Sequence, residues 1–176
     1  SLRRARTYSS PGSPVVLPSP AYMPFWEVPG LEGRDIISVP IIDSGFGWAL
    51  DLDGISDAFA KGAESIILCQ PYNPLGRVFT IDELRGLAEV VDRHHGFVVS
   101  DEIHGPLVPA GESRKASVPY ASISELASSH SVLVSSASKS FNLPGLMTAF
   151  VTLFTDEQAK VWDEKVHPLD AEGVTT

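Results

Sequence analysis

Three short apolar runs, each emptying into a polar cluster, constrain this chain more than any other feature. SIILCQP (65–71), FVVSDE (97–102) and SVLVSS (131–136) are rich in Val, Ile and Leu and lack polar alternation. A strand with one wet face alternates, whereas a strand covered on both faces reads as a continuous apolar run. Between the first two lies TIDELRGLAEVVDRHHG (80–96), in which Leu84, Leu87, Ala88 and Val91 share one helical face. Thr80 and Glu83 stand there at capping-box spacing and Gly96 stops the helix. DLDGISDAFAKG (51–62) places Leu52, Ile55 and Phe59 at helical spacing and also ends on glycine. The same patterns predict strands in SPVVLPSP (13–20), RDIISVPII (34–42) and TAFVTLF (148–154). They predict helices in VPYASISELASS (118–129) and TDEQAKVWDEKV (155–166), the latter with an acidic first turn. Alternation of this kind implies an α/β fold, a mainly parallel sheet with helices on both faces.

Such sheets bind ligands at the carboxyl ends of their strands. QPYNPLG (70–76), SDEIHG (100–105) and SSASKS (135–140) each follow one of the buried runs directly. Three strand ends therefore deliver Asn73, Asp101 and Lys139 to one edge. A lysine amine captures carbonyl groups. A carboxylate can hold a protonated pyridine nitrogen, an amide can donate to a phenolate oxygen, and clustered serines suit a phosphate. Together these demands describe pyridoxal 5′-phosphate, an electron sink held through a lysine Schiff base with an acidic partner at its ring nitrogen.

Charge and composition exclude other classes. The 176 residues fit one domain, and the net charge of −9 without a basic block leaves no electrostatic footprint for nucleic acid. The single cysteine, Cys69, excludes an internal disulfide framework and fits a reducing compartment. No apolar run approaches the ~20 residues that cross a bilayer. SLRRARTYSS carries arginines without a following apolar segment and does not read as a secretory signal, so a cytoplasmic location without membrane attachment is expected.

Competing motifs are weaker. Ser136-Ala-Ser-Lys139 also reads as S-x-x-K, the nucleophile motif of penicillin-recognising serine enzymes, but no K-T-G accompanies it. Asp101 and His104 could ligate a metal, yet neither H-E-x-x-H nor a cysteine pair is present. GFG (45–47) is only a fragment of a dinucleotide fingerprint. Arg77 and Glu102 read as structural residues pairing at a loop or strand end. His94 and His95 complement a helix dipole.

PSPAY (18–22), CQPYNPLGRVFTIDEL (69–84), VVSDEIHGPLV (98–108) and SASKSFNLPGL (136–146) together resemble the fold-type I pyridoxal-phosphate enzymes of the class I/II aminotransferase superfamily. Within it they are most similar to the cystathionine β-lyase-like, MalY/PatB-type carbon–sulfur lyases. The resemblance implies Lys139 as the Schiff-base lysine and catalytic residue, Asp101 as partner of the ring nitrogen and Asn73 as donor to the 3-oxygen. It implies Tyr22 stacked on the ring, and Ser136 and Ser138 at the phosphate. His104 stands where many relatives have tyrosine, the variant of the lyase branch. Met147, eight residues after the lysine, stands where the wider family often has a phosphate-binding arginine. Whole members are much longer, so residues 1–176 resemble the core of the large domain, without its N-terminal segment and the C-terminal small domain. Full-length relatives are expected to be homodimers acting on a small amino-acid substrate. A β-lyase and an aminotransferase would use the same residues, and a non-catalytic truncated domain is the third possibility.

Overall fold

The computed structural model describes residues 8–45, 47–108 and 117–165. The last residue of the helix expected over 155–166 and most of the SLRRARTYSS segment lie outside them. Strand β1 (Val15–Ser19) leads through helix α1 (Pro24–Leu31) to β2 (Ile36–Pro40). A small antiparallel ribbon, β3 (Ile42–Asp43) and β4 (Trp48–Ala49), follows. Then come α2 (Leu52–Ala60), β5 (Ser65–Cys69), α3 (Ile81–Arg93) and β6 (Phe97–Asp101). The described chain ends with α4 (Glu125–Ser129), β7 (Ser131–Ser135), α5 (Ala137–Ser140), β8 (Phe150–Thr152) and α6 (Asp156–Lys165).

Six strands form one sheet in the order β2-β1-β5-β6-β7-β8. All pairs are parallel except β7 with β8. Every residue of β5 is buried, as its unbroken apolar run requires. On one face α2 and α3 pack together over the sheet: Ile55, Phe59, Leu84, Leu87 and Val91 join Val16, Ile66, Leu68 and Val98 in one core. The other face is thinner. There Phe97, Val99, Val132 and Val134 form a second cluster with Val151 and Leu153 against it, and the Tyr8 ring stacks on Phe97 at 4.5 Å. The Tyr8 hydroxyl donates to the carbonyl of Gln158 in α6, whose side-chain amide donates to Ser131 O at 2.9 Å.

The capping box expected at Thr80 is formed: Thr80 Oγ1 accepts from Glu83 N at 3.2 Å while Glu83 Oε2 accepts from Thr80 N at 2.7 Å. Thr80→Ala removes one half of the box and is expected to cost about 1 kcal/mol, read as a lower denaturant midpoint at unchanged m-value.

One local expectation changes, and two further helices appear. The helix expected over 118–129 is two pieces, a 3-10 turn at Tyr120–Ser122 and then α4. Ser124 is the reason: its hydroxyl accepts from Ala127 N at 3.1 Å and starts a fresh helix. Lys139, in the polar cluster after β7, lies in the short helix α5. Helix α1 carries no apolar periodicity to announce it, and contains Pro29, yet Pro24 sits at its first turn, where a missing N–H costs nothing. Among the described residues no helix is long and apolar enough to cross a membrane.

Candidate active site

Register fixes the centre of the site. Asp101, the last residue of β6, pairs with Cys69 at the end of β5 and with Val134 near the end of β7. The amide of Gln70 donates to Asp101 O at 2.9 Å and that of Glu102 donates to Val134 O at 2.9 Å, so the ladder continues one step past the strand. Asn73 follows β5 by four residues and Lys139 follows β7 by four. The three strand ends expected to converge do so at one edge of the sheet.

Asp101 is half-buried, and its Oδ1 accepts from the amide of Ile103 at 3.1 Å. Burial holds its carboxyl above the usual carboxylate range, against the opposing pull of the Ile103 hydrogen bond and of nearby His104. A desolvated carboxylate of this kind gains most from a cationic partner.

The loop after β5 is built on buried polar groups. Gln70 is fully buried, with Oε1 accepting from Phe79 N at 3.1 Å and Nε2 donating to Phe79 O at 3.3 Å. Tyr72 is buried beside Phe79, and its hydroxyl donates to Pro20 O at 2.6 Å, tying the PSPAY segment to the Asn73 loop. Gly76 adopts φ +63, a conformation that favours glycine, as the loop turns back. Arg77 pairs with Glu83 of the capping box at 2.8 Å. Burial pushes the Cys69 thiol up to about 12, so it stays neutral between the Asn73 backbone and Asp101.

Asn73 and His104 line one open cleft of about 920 Å³, with Tyr72, Phe79, Leu107 and Val118 among its walls. Asp101, Lys139, Tyr22, Ser136 and Ser138 do not line it. Tyr22 is half-exposed just beyond β1, its ring edge-on to Phe25 at 5.7 Å. Lys139 is exposed and makes no hydrogen bond or ion pair among the described residues. The 3-10 turn Gly105–Leu107 that follows His104 packs against its helix. Ser136 is buried and caps α5: its hydroxyl accepts from Ser138 N at 3.0 Å, meets Ser138 Oγ at 2.6 Å and donates to Thr148 O at 2.6 Å. Next to the lysine, Ser140 Oγ is buried without a hydrogen-bond partner in the described structure.

This donor set fits a pyridoxal phosphate. It offers a free amine, a desolvated carboxylate, an amide and a serine cluster that includes one orphaned hydroxyl. Among the described residues no group of three His, Cys, Asp or Glu side chains could hold a metal ion. The polar residues that shape the site, Gln70, Tyr72 and Glu102, were not among those singled out for it. Gln70 follows the apolar run of β5 directly, but its grip on Phe79 and the bond of Glu102 to Tyr120 reach nine and 18 residues along the chain.

The fold and this strand-end constellation define a class of α/β proteins, and comparison narrows it. The aminotransferase class I and II family profile matches residues 5–163, and the chain belongs to that family. It is 33% identical over 168 residues to the cystathionine β-lyase of Corynebacterium glutamicum, covering 96% of this chain and 43% of that one. It is 36% identical over 146 residues to MalY of Escherichia coli, covering 82% of this chain and 36% of the relative. The crystal structure of cystalysin from Treponema denticola, which contains pyridoxal 5′-phosphate, superposes with a TM-score of 0.83 at 25% identity over 95% of this chain and 41% of its own. The chain thus spans less than half the length of the relatives it matches.

Proposed function

We propose that this chain is the cofactor-binding core of a pyridoxal-phosphate-dependent carbon–sulfur β-lyase acting on cystathionine or a related cysteine S-conjugate. The observation that carries the reading is the desolvated Asp101 carboxylate at the end of β6, flanked in register by the strands that lead to Asn73 and Lys139. The lyase names of the relatives support the choice of reaction. Bound here, pyridoxal phosphate supplies an electron sink for the carbanion at the α-carbon of an amino acid.

The residues of the chain do the rest. Lys139, whose amine makes no hydrogen bond or ion pair among the described residues, would hold the cofactor through its aldehyde and serve as the base for the substrate α-proton. Asp101 would hold a proton on the ring nitrogen, its own carboxylate then paired rather than stranded. Asn73 would donate to the ring 3-oxygen, and Tyr22 would stack on the ring. Ser136 and Ser138 would contact the phosphate, with His104 a further contact of the cofactor. In the whole protein the partner is a small amino acid and the assembly a homodimer.

The test is product analysis after incubation with pyridoxal phosphate and cystathionine. Pyruvate appearing in step with free thiol is the expected result, abolished in Lys139→Ala. Transfer of the amino group to an added 2-oxo acid without pyruvate would make the enzyme an aminotransferase instead. Neither product would leave a non-catalytic domain.

A further inference from the structure

Glu102 stands beside the proposed cofactor partner but points elsewhere. Only 6% of it is exposed. Its Oε1 accepts from Ser100 Oγ at 2.7 Å and from the Tyr120 amide at 2.9 Å. Its backbone is equally committed. The amide donates to Val134 O at 2.9 Å, and the carbonyl accepts from Gly105 N at 2.9 Å and from Ser135 Oγ at 3.5 Å. One residue thus joins the end of β6, the end of β7, the turn after His104 and the 3-10 turn at Tyr120. Tyr120 is itself fully buried and anchored through its hydroxyl to His130 Nε2 at 2.9 Å, so the far end of the tie is rigid. A buried carboxyl is costly and persists where its hydrogen bonds are needed.

We infer that Glu102 is a positioning residue: its carboxyl ties the end of β6, through Ser100, to the Tyr120 turn, and so fixes the Asp101 carboxylate beside the strand that leads to Lys139. The reporter of that position is the Ile103 amide, which donates to Asp101 Oδ1. The inference rests on the cofactor reading for its purpose, but its geometry is testable without the cofactor.

The experiment compares the native chain with Glu102→Ala, Glu102→Gln and Ser100→Ala. Amide exchange is read at Ile103 and Tyr120 without cofactor, and borohydride trapping of pyridoxal phosphate on Lys139 is read by peptide mapping. Glu102→Ala is expected to speed exchange at Ile103 about tenfold, with amides of β1 and β5 unchanged, and to reduce Lys139 labelling by a similar factor. Glu102→Gln keeps an acceptor oxygen for both donors and should restore both readouts to within about twofold. If Glu102→Ala does not fold, Ser100→Ala carries the test, with an expected acceleration at Ile103 of about threefold. Unchanged Ile103 exchange in the folded variants overturns the inference, as does acceleration spread evenly over the sheet, which marks a stability role only. Absence of Lys139 labelling in the native chain removes the cofactor reading, while the exchange data still decide the positioning role.

Discussion

Asp101→Asn is expected to weaken pyridoxal phosphate binding by about 10²–10³-fold while leaving the fold intact. The substitution keeps the shape of the side chain and an oxygen for the Ile103 amide, so the turn after β6 stays in place. It removes the charge alone. A protonated ring nitrogen then sits against a neutral amide in a dry site, and stranding one member of a buried ion pair costs roughly 3–5 kcal/mol. The cofactor-free protein should respond oppositely. Burial already disfavours the ionised carboxyl of Asp101, so the neutral amide relieves a cost and the midpoint of unfolding at neutral pH should hold or rise. A titration of cofactor absorbance, paired with denaturant melts without cofactor, checks both halves. Equal affinities for the two proteins would remove Asp101 from its proposed role.

The second large effect concerns pH. Burial raises Glu102 from its ordinary value of 4.5 to about 7, against the hydrogen bonds from Ser100 and the Tyr120 amide, with the neighbouring Asp101 charge adding to the rise. Below 4.5 the carboxyl is protonated in both the folded and unfolded chains. Between 4.5 and 7 the unfolded chain has released a proton that the folded chain retains. The folded state therefore binds more protons in that window, and stability falls as pH rises through it, levelling off above 7. The shift corresponds to roughly 3 kcal/mol. In Glu102→Gln this contribution is absent. Asp101, also raised by burial, adds a slope of the same sign, and His130, lowered by burial, adds the opposite slope below its ordinary value. Both remain in the variant, so the difference between the two stability curves isolates Glu102. Melts of both proteins from pH 4 to pH 8 should diverge steadily between about 4.5 and 7. Parallel curves would mean that the carboxyl is not desolvated in solution.

The strands and the long helix were legible because one physical signal dominated each. The apolar runs of β5, β6 and β7 admit no wet face, and α3 combines a single apolar face with both halves of its cap. Where two signals compete, the sequence is less explicit. PFWEVPGL contains two prolines and no clean periodicity, and its helix is set by tertiary packing of Phe25 into the main core. VPYASISELASS reads as one helix until Ser124 captures the Ala127 amide and restarts it. The placement of Asn73, Asp101 and Lys139 at one edge of the sheet was readable because they end or follow strands whose order in a parallel sheet brings their ends together. The supporting residues were not. Nothing in the letters QPYNP tells that Gln70 turns inward to grip Phe79, or that the Tyr72 hydroxyl reaches Pro20. Glu102 was read as structural. Its double hydrogen bond to Ser100 and Tyr120 depends on a loop 18 residues away, which no local pattern encodes.

The most direct test of the cofactor site is borohydride reduction of the chain after incubation with pyridoxal phosphate, followed by mass mapping of the peptides. The expected result is a phosphopyridoxyl group confined to Lys139 and strongly reduced in Asp101→Ala. A label scattered over surface lysines, and unaffected by Asp101→Ala, would contradict it.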